Sequence, residues 1–350
     1  YMSVIHKKPQ TLWYTRCPVP TASGIALNKG WIENEFKPDG IEVISLRQSD
    51  DVKVREAHYT HNLDNAFRQG GNVPAIYAKS EGADTALIGL HWVSQYQGLL
   101  VRSNSDIKEN SSLKKKRFAL PVRRNDPIDF WRSMSLAAYT AALSLQGLNL
   151  EDVELVELPI SASYIDVNKG NVDPHAIVPR LERQHSTEVL ALLNDKVDVI
   201  YGHSAWGCHI REMFSLYEII NIRDCSDDRL KIINRHPKVL TVSRQLLESH
   251  PDLVDRYVFQ VIKAAKWAQK NQDEARRILA QEIGVAEYWI DEGCGNNIIN
   301  ELNISLETEL VDALNARQIF LKKHGFINNL IDLDSWVDNG PLKRAQQLNI

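Results

Sequence analysis

The sequence predicts an α/β protein of two lobes, with a ligand-binding cleft between them. Short apolar runs alternate with helical patterns along the chain, which is typical of α/β architecture. At 350 residues the chain is also longer than the roughly 100–200 residues of one domain. We assign residues 1–105 and 226–350 to the first lobe and residues 106–225 to the second. The cleft between two such lobes is the default position for a ligand.

The apolar pattern defines the elements of both lobes in chain order. In the first lobe we predict strands at residues 12–15, 41–46, 86–90 and 98–102, with an amphipathic helix at 25–36. After a polar connector at 103–112, the second lobe has predicted strands at 117–122, 153–158 and 197–201 and helices at 128–145 and 188–193. A strand at 238–242 and a helix at 251–271 mark the return to the first lobe, and the last third is predicted to be helical.

Composition and charge exclude several classes of function. The net charge of −4 gives no basic field that would recruit nucleic acid. No apolar stretch approaches the roughly 18–20 residues of a membrane helix. The four cysteines are scattered without C-x-x-C spacing, which disfavours a zinc site or a disulfide scaffold and suits a reducing compartment. We therefore expect a cytoplasmic monomer, unless a leader was removed before Tyr1.

Cys17 is the first candidate for chemistry. It follows a strand-like run and precedes Pro-Val-Pro at residues 18–20, which keeps the cysteine extended and delays the next helix. A thiol that faces a helix N-terminus lies where positive partial charge favours the thiolate. The alternative is a buried structural cysteine. With Thr15 and Arg16 as polar neighbours, the two interpretations have about equal weight.

The second candidate cluster joins a histidine pair to an arginine and two glycines. His58 and His61 have helical spacing, but no further ligands follow at a spacing that would complete a zinc site. Arg68 precedes Gly70 and Gly71 in a predicted turn. Glycines there would permit positive φ and expose backbone N–H groups, while a guanidinium supplies paired donors for a carboxylate, phosphate or sulfur oxyanion. An ordinary turn with a surface arginine is the equally weighted alternative.

Two tryptophans are weaker candidates for a ligand pocket. Trp131 opens a predicted helix of the second lobe, and Trp206 follows the end of a predicted strand, where clefts of α/β sheets lie. Packing is the more common role of a tryptophan in such positions. The chain has no G-x-S-x-G motif, P-loop, complete G-x-G-x-x-G or H-E-x-x-H.

Taken together, these segments resemble the 2′-hydroxybiphenyl-2-sulfinate desulfinase family of the dibenzothiophene desulfurisation route. Residues 14–20 are similar to its Y-x-x-C-P-V-P segment, and residues 58–60 and 68–74 to its H-F-T and R-x-G-G-x-x-P segments. Weaker similarity continues at 97–102, 153–156, 197–201, 251–267 and 334–336, and so covers nearly the whole chain. The resemblance implies a two-lobed, type II periplasmic-binding-protein-like fold, shared with the wider superfamily of nitrate-, sulfonate- and taurine-binding proteins.

The resemblance also implies roles for individual residues. Carried over position by position, it makes Cys17 the catalytic cysteine, His58 the catalytic histidine and Arg68 the oxyanion-binding arginine. The residues that would contact the substrate are Thr15, Gly70, Gly71, Trp131 and Trp206. The implied reaction cleaves the carbon–sulfur bond of an aryl sulfinate and releases sulfite, with no metal and no organic cofactor.

Three departures from the family pattern bear on the substrate. Arg16 replaces an uncharged residue, Gln69 replaces an aromatic one, and residues 122–129 are much more charged. A pocket for a flat biphenyl should be apolar, so these changes favour a more polar organic half or another leaving group. The main alternative is a non-catalytic solute-binding protein for a sulfonate, nitrate or similar anion, which would not require a thiol. A relative of the thiamine pyrimidine synthases is disfavoured, because the chain has no cysteine cluster.

Overall fold

The computed structural model describes residues 7–167 and 185–348, and its strands form two groups. The first sheet contains β1 (Thr11–Arg16), β2 (Glu42–Ser45), β3 (Ala66–Gly70), β4 (Thr85–His91) and β10 (Lys238–Ser243). Their spatial order is β2–β1–β3–β10–β4, with β10 antiparallel to both of its neighbours. This order places β3 between the first strand of the chain and the strand that returns late in the chain.

The second group of strands lies between β4 and β10 in the sequence. It contains β5 (Gln97–Arg102), β6 (Arg117–Val122), β7 (Glu154–Pro159), β8 (Ile200–His203) and β9 (Leu216–Asn221). β5 pairs with β8 and β9, and β6 pairs with β7. A parallel bridge between Phe118 and Val199 connects β6 to the chain that enters β8. We call this group the second sheet.

Helices cover both sheets and form most of the last third of the chain. The early helices are α1 (Ala22–Asn28), α2 (Trp31–Phe36), α3 (Val52–Thr60) and α4 (Asn72–Ser80). Those of the middle are α5 (Phe130–Ser144), α6 (Tyr164–Val167), α7 (Ser186–Leu193) and α8 (Ser204–Met213). The later ones are α9 (Arg244–Ser249), α10 (Pro251–Lys270), α11 (Gln272–Ile283), α12 (Trp289–Cys294), α13 (Thr308–Lys323), α14 (Leu333–Trp336) and α15 (Gly340–Gln347).

Most predicted elements are confirmed within a few residues, and the differences have local causes. The helix predicted at 25–36 is two helices, because Gly30 adopts φ 69° between α1 and α2. α3, β3, α4, α8 and β9 are elements that the pattern did not reveal. β3 was missed because Arg68 and Gln69 interrupt its apolar run, although both side chains are buried in the structure.

The predicted boundary between the lobes at residue 105 is wrong for one strand. β5 was assigned to the first lobe, but it hydrogen-bonds to β8 and β9 of the second sheet. The chain therefore leaves the first sheet between residues 91 and 97. It returns between the end of β9 at 221 and the start of β10 at 238, the stretch that contains the expected return at 226.

Helix α10 is central to the core beneath the first sheet. Pro251 occupies its first turn, where a missing N–H has no consequence. Leu253, Val254, Tyr257, Val258 and Val261 are buried along one face, as their helical spacing predicted. The Tyr257 ring stacks on Phe67 of β3 with centroids 3.7 Å apart. None of the described helices is both long enough and apolar enough to span a bilayer.

Candidate functional site

Cys17 lies immediately after β1, at the edge of the first sheet that faces the second. Residues 18–20 bring the chain round to Thr21, whose hydroxyl accepts a hydrogen bond from the Gly24 N–H at 3.0 Å and caps α1. The thiol is partly exposed. The rigid Pro-Val-Pro segment thus keeps Cys17 out of both the strand and the helix, with its side chain accessible.

Arg68 reaches the thiol from the neighbouring strand. β1 and β3 are parallel, and their register pairs Thr15 with Arg68. Arg68 Nη2 donates to Cys17 Sγ at 3.6 Å, and Nη1 donates to the Gly71 carbonyl at 2.7 Å. The side chain is only 4% exposed, and burial lowers the pKa of Arg68 while the Cys17 thiol acts in the opposite direction. A buried guanidinium therefore lies beside the sulfur atom.

Gly70 and Gly71 are required for space at this site. A Cβ on Gly70 would lie 2.4 Å from Cys17 Sγ, and one on Gly71 would lie 2.5 Å from the Asn234 side-chain amide. The prediction that these glycines supply positive φ is wrong. Gly71 has φ −60°, and neither residue is among the glycines with positive φ. They allow the thiol and the loop before β10 to approach the backbone closely.

His58 is held beside the same strand by Thr15. Thr15 Oγ1 and His58 Nδ1 are hydrogen-bonded at 3.2 Å in a buried setting. Burial, reinforced by the positive charge of Arg68, holds the pKa of His58 well below its ordinary value. The imidazole is therefore neutral at pH 7, and Thr15 fixes the orientation of its ring.

An aromatic side chain from the chain after β7 contacts His58. Tyr164, at the start of α6, stacks on the His58 ring with centroids 5.2 Å apart. Burial and the nearby Cys17 thiol raise the pKa of Tyr164 to about 12. The phenol is consequently neutral at pH 7. Nothing in the local sequence singled out this tyrosine.

His61 does not join His58 in a metal site. It ends α3 in a left-handed conformation, and its Nε2 lies 2.9 Å from the His58 carbonyl oxygen. Across the two described ranges, no group of three or more histidine, cysteine or acidic side chains is placed to hold a metal ion.

Arg16 and Gln69, the residues that depart from the desulfinase pattern beside Cys17 and Arg68, have structural roles. Because side chains alternate along a strand, Arg16 and Gln69 point away from Cys17. Arg16 forms a buried ion pair with Glu282 of α11, with Nε and Oε2 3.2 Å apart. Gln69 Oε1 accepts from the Ser23 N–H at 3.1 Å and so fixes the start of α1. Neither substitution places a charge on the thiol's side of the sheet.

The two tryptophans have different environments. Trp131 is 5% exposed at the start of α5, and the guanidiniums of Arg123 and Arg235 lie 5.1 Å and 5.9 Å from its ring centroid. The prediction that Trp206 contacts a ligand is wrong. It is fully buried in the core, and its Nε1 donates to the Ile283 carbonyl at 3.3 Å, because α8 turns it inward.

Sequence reasoning also missed Arg235, which lies close to the motif residues. The antiparallel register pairs Gly70 with Val239, so the residues that precede β10 pass alongside Gly71. Asn234 contacts Gly71 there and accepts a hydrogen bond from the Val73 N–H at 2.8 Å. The available signal was the polar run at 234–236 directly before a strand that is buried throughout.

Comparison with known proteins gives a consistent result. No protein-family model matches the chain. It is 27% identical to the 2′-hydroxybiphenyl-2-sulfinate desulfinase of Rhodococcus erythropolis over 353 residues, which covers 93% of this chain and 91% of the relative. The crystal structure of the desulfurization enzyme DszB superimposes with a TM-score of 0.73 at 23% identity, covering 97% of this chain and 99% of that one.

A transport protein has the same fold. The periplasmic aliphatic sulphonate-binding protein SsuA of Escherichia coli superimposes with a TM-score of 0.68 at 14% identity, over 95% of this chain and 92% of that one. This confirms the predicted periplasmic-binding-protein-like fold. Along nearly its whole length, then, the chain is similar to 2′-hydroxybiphenyl-2-sulfinate desulfinase, and it has the α/β fold that such enzymes share with sulfonate-binding proteins.

Proposed function

We propose that this protein is a cysteine-dependent desulfinase that cleaves the carbon–sulfur bond of an organic sulfinate and releases sulfite. The observation that carries the proposal is the 3.6 Å contact between the Cys17 thiol and the buried guanidinium of Arg68. A partly exposed thiol directly after β1 is thereby adjacent to an anion-binding group on β3. A binding protein for an anion would need the second group but not the first.

Arg68 is suited to hold the sulfinate oxygens. Its Nη1 is engaged by the Gly71 carbonyl, which fixes the plane of the guanidinium. Its Nε is buried and has no hydrogen-bond partner in the described part of the chain. Leaving a buried donor unpaired is unfavourable by about 1–3 kcal/mol, so an incoming sulfinate oxygen would restore that bond. The same oxyanion would then lie against Cys17.

Two routes from this arrangement balance in atoms and charge. In the first, the Cys17 thiolate attacks the sulfinate sulfur, the carbon leaves with a proton, and a thiosulfonate-like Cys–S–SO₂⁻ forms. Water then cleaves this intermediate to hydrogen sulfite and the free thiol. In the second, the Cys17 thiol protonates the ipso carbon, sulfur dioxide departs, and water converts it to hydrogen sulfite while a proton returns to the thiolate. Both routes sum to sulfinate plus water giving arene plus hydrogen sulfite.

His58 would assist either route as a neutral group. The Thr15 hydroxyl engages Nδ1, which leaves Nε2 as the nitrogen for the substrate or a water. The low pKa of His58 makes proton storage on the imidazole unfavourable, so a role in orienting water or polarising the sulfinate is favoured over a role as permanent cation. Neither route requires a metal or an organic cofactor.

The alternative function is binding of a sulfonate or a similar anion without chemistry. It is favoured by the fold and by the anion-binding character of Arg68, and it assigns no role to the thiol. The two functions are separated by assaying sulfite from a panel of aryl and alkyl sulfinates with the wild-type protein and with Cys17→Ser. Cys225→Ser is the matched control, because Cys225 is also partly exposed but lies far along the chain from β1.

We expect sulfite from the wild type and from Cys225→Ser, and none from Cys17→Ser. Mass spectrometry of protein quenched during turnover separates the two routes, because only the first adds SO₂ to Cys17. If no sulfinate releases sulfite, while an alkyl sulfonate binds wild type and Cys17→Ser equally well, the binding function replaces the catalytic one.

A further inference from the structure

Two buried arginines, each from a different connecting segment, lie over the ring of Trp131. Arg123 follows β6, and Arg235 precedes β10, yet both guanidiniums lie over the same indole at 5.1 Å and 5.9 Å from its centroid. Arg123 is 8% exposed and Arg235 is 3% exposed. Each has an Nη1 atom that is buried and has no hydrogen-bond partner in the part of the chain that is described.

The surroundings of Arg235 differ from those of Arg123. Arg123 lies near the carboxyl groups of Asp126, Asp129 and Glu188. Burial raises the pKa of Asp126 and Asp129, and the positive charge of Arg123 opposes that effect. Burial lowers the pKa of Arg235, while the thiols of Cys17 and Cys294 and the phenols of Tyr164 and Tyr201 act in the opposite direction. No ion pair joins its guanidinium to any described residue. Because a buried charge without a counter-ion is strongly unfavourable, a guanidinium with no ion pair to the described residues is suited to bind an anion.

The position of Arg235 connects it to the proposed reaction site. Its neighbour Asn234 touches Gly71, the glycine whose carbonyl accepts from Arg68. Cys17 and Tyr164 are both close enough to influence the Arg235 charge. Arg235 therefore lies near both the Cys17 thiol and the Trp131 indole. A molecule held by Arg68 would extend toward it.

Two histidines complete the polar surroundings of Trp131. The rings of His185 and His203 lie 5.5 Å and 5.0 Å from the indole. Both are almost fully buried. His185 Nδ1 lies 3.8 Å from the Glu188 carboxylate, whereas neither ring nitrogen of His203 has a hydrogen-bond partner among the described residues. Burial, with the positive charge of Arg235, holds the pKa of His203 well below its ordinary value, so this ring is neutral and has one N–H to donate. An apolar biphenyl would leave the Arg235 and His203 donors without a partner among the described residues.

We infer that Arg235, with Arg123 near the same indole, binds a carboxylate carried by the organic half of the substrate. This inference rests on the proposed desulfinase function and narrows its substrate class to aromatic sulfinates that bear a second, carboxylate anion. The aromatic ring lies against Trp131, the sulfinate lies on Arg68, and the carboxylate lies on Arg235. In this role Arg235 is a specificity-determining residue that does not touch the reacting atoms.

The experiment compares matched substrates and matched variants. Benzenesulfinate, the methyl-substituted benzenesulfinates and the carboxy-substituted benzenesulfinates, each in ortho, meta and para forms, are assayed for sulfite release. The proteins are the wild type, Arg235→Met, Arg235→Lys and the control Arg102→Met, which removes an arginine that pairs with Asp195 at the end of β5. Circular dichroism verifies that each variant is folded.

We expect kcat/KM of the wild type to be about 10- to 100-fold higher for one carboxylated isomer than for its methyl counterpart, as befits a charge-assisted pair. Arg235→Met should remove that preference with little change for the methyl substrates, Arg235→Lys should keep part of it, and Arg102→Met should keep all of it. If Arg235→Met is unfolded, Arg235→Lys alone decides, because a partial loss is then required.

Three outcomes would overturn the inference. One is equal turnover of carboxylated and methyl substrates by the wild type. Another is an equal loss for all substrates in Arg235→Met, which would place Arg235 on the sulfinate itself. If no sulfinate is cleaved, the desulfinase proposal fails, but the carboxylate site is still testable. Calorimetry would then compare the affinities of sulfobenzoate and benzenesulfonate for the wild type and for Arg235→Met. Equal binding of the two sulfonates would then refute it.

Discussion

Replacing Gly70 by alanine tests whether the thiol and the arginine depend on a close approach of two strands. The new Cβ would lie 2.4 Å from Cys17 Sγ and 3.0 Å from Cys17 Cβ. A comfortable separation of such atoms is about 3.5 Å, so the sulfur must move by about 1 Å. Overpacking of this kind destabilises a protein by about 1–3 kcal/mol, and we expect about 2 kcal/mol for Gly70→Ala.

The displacement should affect activity more than stability. Cys17 Sγ is 3.6 Å from Arg68 Nη2, and a shift of about 1 Å breaks that contact or turns the thiol away from the bound sulfinate. A misplacement of about 1 Å at a reacting group lowers the rate by roughly 100-fold. We therefore expect sulfite release to fall by about two orders of magnitude in a protein that is still folded at 25 °C.

Urea unfolding and sulfite release measure the two effects, and a double-mutant cycle with Cys17→Ala isolates their cause. Without Sγ the nearest atom to the new methyl group is Cys17 Cβ at 3.0 Å, so Gly70→Ala should destabilise Cys17→Ala by less than half as much as it destabilises the wild type. A Gly70→Ala protein with normal stability and activity would show that the close approach is unimportant. A destabilisation that is the same with and without the Cys17 sulfur would show that the cause lies elsewhere.

Three further predictions concern the support of the site. Thr15→Val removes the hydroxyl that engages His58 Nδ1, and we expect a loss of about 1 kcal/mol in urea unfolding and a lower kcat, whereas Thr15→Ser should retain both. Burial lowers the pKa of His91 to about 3. Below about pH 6.5 the unfolded chain therefore binds one more proton at this histidine than the folded chain does. The free energy of unfolding should consequently fall by about 1.4 kcal/mol per pH unit as the pH drops toward 3. His91→Gln should make the measured dependence of unfolding free energy on pH less steep, and an unchanged slope would contradict the assignment. Arg16→Met removes the guanidinium that pairs with the buried Glu282 carboxylate, and it should lower the free energy of unfolding by about 3 kcal/mol in urea. The double variant Arg16→Met, Glu282→Leu should recover most of that loss, because it leaves no buried charge unpaired.

The local features of the site follow from the amino-acid sequence alone. The Pro-Val-Pro segment after Cys17 constrains the chain within a few residues, because proline fixes φ. The Gly-Gly pair after Arg68 was recognised as part of the site, but only the structure shows that it provides space for Cys17 and Asn234 rather than positive φ. The helical spacing of its apolar residues likewise predicted which face of α10 is buried. The resemblance to the desulfinases grouped Cys17, His58 and Arg68 into one site although they are far apart in the chain, and Thr15 is the hydrogen-bond partner of His58.

Which distant segments meet depends on tertiary packing. The packing inserts β3 between β1 and β10. It also brings Asn234 against Gly71 and Tyr164 onto His58. It also turns Trp206 into the core and pairs Arg16 with Glu282. Side-chain periodicity could not reveal these contacts, because it reports only which face of an element is buried. It carries no information on which strand becomes its neighbour, since sheet order depends on packing between segments far apart in the chain.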